Sequence, residues 1–80
     1  MQLVRTELIQ ILVFKTSIST INDCKIVEKC ISSIPSIIRW TIDRDDVDKV
    51  LRIETSGEPI ANKIIQCINE AGVFCEEMKD

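Results

Sequence analysis

The chain has no histidine, two glycines and two prolines in 80 residues, and no long apolar run. Each shortage closes off a class of function. Without histidine there is no Ser–His or Cys–His nucleophile pair and no mixed cysteine–histidine zinc set. Gly57 and Gly72 stand too far apart to form a phosphate-cradling loop. No serine or cysteine sits in a recognisable nucleophile motif, so the sequence reads as non-enzymatic. The longest apolar stretch, Leu8 to Phe14, is broken by Gln10. It falls far short of the roughly 20 residues that span a bilayer. Arg5 and Glu7 precede it, Lys15 follows it, and no small-residue cleavage site appears, so it reads as a strand and not a signal peptide. The expectation is a cytoplasmic protein with no membrane partner. Positive charge is also short: the net charge is -3. Such a surface has no general attraction for phosphate backbones, and nucleic acid is not an expected partner.

What is present suits one small domain over 1–80 with a core at about 8–76. A hydrophobic content of 45% supports a core, and 29% charged residues argue against disorder. The four cysteines, Cys24, Cys30, Cys67 and Cys75, include no Cys-x-x-Cys spacing. In a reducing compartment their plain role is that of small buried hydrophobes.

Leu8–Thr16 is rich in β-branched and aromatic residues and predicts a strand. Thr20 and Asp23, three positions apart, form a variant capping box that starts a helix. Cys24, Val27, Ile31 and Ile34 then recur at helical spacing as a buried stripe, with Cys30 beside it. Pro35 ends that helix. Ile37–Asp43 alternates, with Ile38, Trp40 and Ile42 on one face. Lys49–Thr55 alternates again, with Leu51 and Ile53 inward. The acidic turn between them makes a hairpin. Ser56-Gly57-Glu58-Pro59 opens a second helix, with Pro59 in its first turn. Ile60, Ile64, Cys67, Ile68 and Ala71 are its stripe, and Gly72 closes it in the left-handed conformation. Val73–Glu76 predicts a last short strand. The order βαββαβ implies an α+β, ferredoxin-like fold: a four-stranded antiparallel sheet with both helices on one face.

With these elements in place, the sequence resembles the heavy-metal-associated domains, the family of copper chaperones and of soluble modules of metal-pumping ATPases. The resemblance runs from about Val13 to Glu76. It rests on Phe14-Lys15-Thr16-Ser17-Ile18, Val27-Glu28-Lys29 to Ile31, and Ile34-Pro35-Ser36-Ile37. It continues through Trp40-Thr41-Ile42-Asp43, Asp48-Lys49-Val50-Leu51 and Ala71-Gly72-Val73. It implies the ferredoxin-like fold and a metal-handling ancestry. The family's signature is a methionine followed by Cys-x-x-Cys in the loop before the first helix. Here Ile18 falls at the methionine position, Thr20 at the first cysteine and Asp23 at the second. Ser36 stands where the family usually has glycine.

Copper(I) favours thiolate or thioether donors, whereas Thr20 offers a neutral hydroxyl and Asp23 a hard carboxylate. The expectation is no cofactor in this loop. The alternative is copper or zinc bound, or redox chemistry performed, by cysteines in a non-standard arrangement, with Cys24 and Cys30 as candidate ligands. Cys24 lies about 100° around the helix from Asp23, toward the buried stripe. Asp43–Asp48 resembles a calcium loop only superficially, since it lacks the sharp-turn glycine and the closing glutamate.

One feature exceeds what a core requires. The first strand is apolar on both faces, with Ile9, Ile11 and Val13 opposite Leu12 and Phe14. In this fold one sheet face is commonly open. Ile9, Ile11 and Val13, joined by Phe74 or Val50, are a candidate interaction face for self-association or an unknown protein partner. The plain alternative is that residues near 1–7 fold over it.

Overall fold

A computed structural model describes residues 9–57 and 60–78. The chain runs β1 (Ile9–Thr16), α1 (Ile21–Ser32), β2 (Ile37–Asp43), β3 (Val50–Ser56), α2 (Ala61–Glu70) and β4 (Cys75–Glu77). The sheet order is β2-β3-β1-β4, with all neighbours antiparallel. This is the ferredoxin-like α+β arrangement that the pattern of the sequence predicts. Leu8 and Pro59, assigned above to the first strand and the second helix, lie outside the described residues.

Period-two alternation puts Leu12 and Phe14 of β1 on one face beside Ile53 and Leu51 of β3, their register partners. Val27 and Ile31 of α1 and Ile64 and Ile68 of α2 pack onto that face, and Ile18, Ile34, Val73 and Cys75 close its margins. Phe14, Ile18, Leu51, Ile53 and Ile68 are fully buried. Each such side chain contributes about 1.5–3 kcal/mol by leaving water.

Three features differ from the sequence reading. Ser56 does not open α2. It ends β3, its N–H donating to the Ser36 carbonyl (3.0 Å), and α2 begins at Ala61, with Ile60 as a cap residue that makes no side-chain hydrogen bond. Second, β2 carries a bulge: Ile37 pairs with Thr55 but Arg39 pairs with Glu54. An extra residue in one strand resets the alternation. Ile38 therefore turns out to half exposure, and Ile37 takes the place beside the core. Trp40 and Ile42 stay on the helix side but are half-buried, because β2 is an edge strand. Third, β4 starts two residues later than the pattern suggests, and Ala71 is exposed at the end of the α2 stripe. Gly72 does adopt the left-handed conformation (φ 95°), as its place after α2 requires.

Candidate functional site

The β1–α1 loop is the first place to look, and its residues are already committed to one another. Thr20 caps α1: its Oγ1 accepts from the Asp23 N–H at 3.0 Å. Asp23 Oδ2 in return accepts from the N–H groups of Ser19 (3.0 Å) and Thr20 (3.2 Å). Those hydrogen bonds, Ser19 first and then Thr20, hold the Asp23 carboxyl below its ordinary value. The pair satisfies donors that the first turn of a helix leaves orphaned. Ile18 points away from the loop surface and is fully buried, while its N–H donates to Thr16 Oγ1 at 3.1 Å. Thr16 Oγ1 itself donates to the Lys49 carbonyl at 2.6 Å, tying the start of the loop to the hairpin.

The cysteines do not gather around this loop. Cys24 and Cys30 sit six positions apart on α1, about 9 Å along its axis, so the helix separates the two candidate ligands. Cys30 lies instead against α2, its Sγ 3.4 Å from the Cys67 carbonyl oxygen. Burial first, then the neighbouring Cys67 thiol and the Glu70 carboxylate, push the Cys30 thiol up to about 11. Cys75 is buried in the core, which pushes its thiol up to about 12. Among the described residues no three His, Cys, Asp or Glu side chains converge as metal ligands.

A cleft of about 350 Å³ opens between the end of α1 and β2, lined in part by Ile34, Ile37 and Trp40. Two of its polar side chains, Ser32 and Arg39, are engaged elsewhere. Ser32 Oγ donates to the Glu28 carbonyl (2.6 Å), and Arg39 pairs with Glu54 at 2.9 Å.

The sheet face opposite the helices is organised differently; residues 1–7, the alternative cover for it, lie outside the described residues. Ile9, Ile11 and Val13 form a column along β1, with Ile9 49% and Ile11 59% exposed. Their register partners on β3 are Ser56, Glu54 and Arg52. Arg39 and Thr41 of β2 extend the Ile11 and Val13 rows, Asp43 pairs with Val50, and Lys15 faces Glu76 of β4. Phe74, half exposed, precedes β4, its N–H donating to Ser17 Oγ at 3.0 Å. Thus Ile9, Ile11 and Val13 share one side of the sheet, set among charged residues, and Phe74 lies in the segment before β4.

Solved structures resemble the whole arrangement. The yeast copper transporter domain CCC2A, determined in apo and Cu(I)-loaded states, matches with a TM-score of 0.73 over 88% of this chain and 96% of its own, at 14% identity. The chain has the fold of a heavy-metal-associated domain. The HMA domain of a copper chaperone for superoxide dismutase matches at 0.71 over 99% of this chain and 76% of its own, with 10% identity. The N-terminal domain of PacS from Synechocystis PCC6803 matches at 0.69 over 88% and 98%, also with 10% identity. No family model and no curated protein sequence matches the chain. At such identities the likeness lies in the heavy-metal-associated fold. Among the described residues no helix is long and apolar enough to cross a membrane.

Proposed function

We propose that this chain is a non-enzymatic interaction module on the heavy-metal-associated fold, with its β1–α1 loop built as a helix cap in place of a metal clamp. The observation that carries this reading is the reciprocal Thr20–Asp23 capping box. A soft metal ion would find no thiolate at Thr20 or Asp23. It would also have to take Asp23 Oδ2 from two main-chain donors that have no other partner in the helix. The loop residues thus support a structural role.

With the loop occupied, the open sheet face is the surface that carries function. Its occupant in this reading is a second copy of the chain. The face carries Arg39, Arg52 and Lys15 against Glu54, Asp43 and Glu76, so its charge balances internally. A balanced lattice around an apolar column is self-complementary under a two-fold axis, the commonest symmetry of soluble oligomers. A strongly charged partner would gain nothing from it.

Anaerobic native mass spectrometry of the reduced chain, with and without stoichiometric copper(I) or zinc, tests both halves. The expected spectrum is metal-free after a competing chelator, and dimeric as concentration rises. Retained copper or zinc would overturn the reading of the loop. A monomer at every concentration would overturn the reading of the sheet face.

A further inference from the structure

The two helices repeat one local pattern. In α1, Cys30 stands three positions after the buried Val27 and one before the buried Ile31; in α2, Cys67 stands three after Ile64 and one before Ile68. Three and four residues are neighbouring steps on a helical surface. Each cysteine therefore flanks its helix's core stripe. On α1 and α2 both flanks are turned toward the seam between the helices, where the Cys30 Sγ–H lies 3.4 Å from the Cys67 carbonyl oxygen. Both side chains are half-buried, neither sealed in the core nor free of its neighbours. The other two cysteines lack such a partner among the described residues: Cys24 is on the first turn of α1 and Cys75 is on β4 in the core.

We propose that Cys30 and Cys67 form a reversible dithiol–disulfide couple that locks α1 to α2. The inference stands whether or not the sheet face binds a second copy. The Cys30 thiol already touches the main chain of Cys67, and side-chain rotation alone closes the bond where the two Cα atoms stand within about 7 Å. The oxidant is a small-molecule disulfide. One protein thiolate attacks it, forming a mixed disulfide and releasing the first small thiol. The second protein thiolate attacks the mixed disulfide, forming the Cys30–Cys67 bond and releasing the second small thiol. Two electrons pass from the protein to the oxidant, and the two protein protons end on the two released thiols.

The surroundings set the pace of this couple. Burial and the nearby Cys67 and Glu70 keep Cys30 protonated to about pH 11, so little of it is nucleophilic at neutral pH. The same property makes Cys30 a poor leaving group, so reduction by attack on the Cys67 sulfur is slow. The pair suits a slow, persistent lock and not rapid disulfide exchange.

The test is to equilibrate the native, reduced chain without oxygen across graded ratios of reduced and oxidised glutathione, cap free thiols, and map the cross-links by peptide mass spectrometry. The expected product links the Cys30 and Cys67 peptides, lighter by two hydrogens, with Cys24 and Cys75 capped. The cysteines are 37 positions apart, and closing a loop of that size raises the melting temperature by about 10 °C or more. Cys24→Ser and Cys75→Ser leave the link intact; Cys30→Ser and Cys67→Ser each abolish it. A different pairing, or glutathione adducts at Cys30 and Cys67 without the link, overturns the proposal. Because the map is read on the unaltered chain, a variant that fails to fold cannot hide the answer.

Discussion

Thr55 sits near the end of the inner strand β3 with no exposed surface, opposite Ile37 on one side and Gln10 on the other. Its Oγ1 finds no hydrogen-bond partner among the described residues. A buried hydroxyl without a partner forfeits its hydration, at a cost of about 1–3 kcal/mol. Thr55→Val keeps the β-branched shape and removes that loss. It is expected to raise urea stability by about 1 kcal/mol, whereas Thr55→Ser, which keeps the hydroxyl and opens a gap, lowers it. Cys75 makes the second residue-scale case. An unfolded thiol ionises near its ordinary value of 9.0, while burial in the core delays ionisation of Cys75 to about 12. The folded state holds its proton longer, so the stability that Cys75 contributes is complete below pH 9 and is lost as pH rises toward 12. Cys30, raised to about 11, adds to the loss in the same window. The urea midpoint is expected to fall through that range, and Cys75→Val to flatten the fall; an unchanged slope in Cys75→Val would refute the assignment.

At the scale of elements, α1 shows how much a short sequence signal can specify. Threonine with an acidic residue three positions later is legible as a cap, and the structure returns both hydrogen bonds of the box. Removing an N-cap side chain costs about 1 kcal/mol. Thr20→Ala is therefore expected to lower the melting temperature by about 4–8 °C, with Thr20→Ser recovering most of it. Because Asp23 is held below its ordinary value, its share of this stability is present at neutral pH and lost as pH falls through the folded-state value. Circular dichroism across an acid titration should show the loss, and Asp23→Asn should shrink it. The hairpin was less legible. Ile38, Trp40 and Ile42 alternate in the sequence just as an unbulged strand would, and nothing local marks the extra residue that sends Ile38 outward. The start of α2 is not legible because Ser56-Gly57 carries the composition of a turn, while a long-range hydrogen bond to Ser36 keeps Ser56 in the sheet.

For the whole molecule, the order of elements was legible because each run has its own periodicity, and the ferredoxin-like sheet follows from that order. The grouping of Ile9, Ile11 and Val13 on one face was legible as well, since strand alternation alone puts them together. The meeting of Cys30 with Cys67 was not, because it depends on how two helices pair, which no local pattern encodes. If the open face joins two copies, Ile11→Asp is expected to shift the dimer to monomer in light scattering while leaving the melting temperature of dilute protein within a few degrees, since Ile11 is 59% exposed. Equal dimerisation by the variant would remove Ile11 from the interface.

The strand order carries one more consequence, which concerns time. β1 is the earliest of the four described strands in the chain, yet it lies inside the sheet, between β3 and β4. During synthesis its apolar residues and both of its hydrogen-bonding edges must wait for Val50–Ser56 and then Cys75–Glu77 to emerge. An unpaired apolar strand is the kind of segment that seeks a wrong partner. The segment Ile9–Phe14 thus waits unpaired during synthesis, and in the finished sheet it pairs with β3 along its length while only Phe14 also has a register partner on β4.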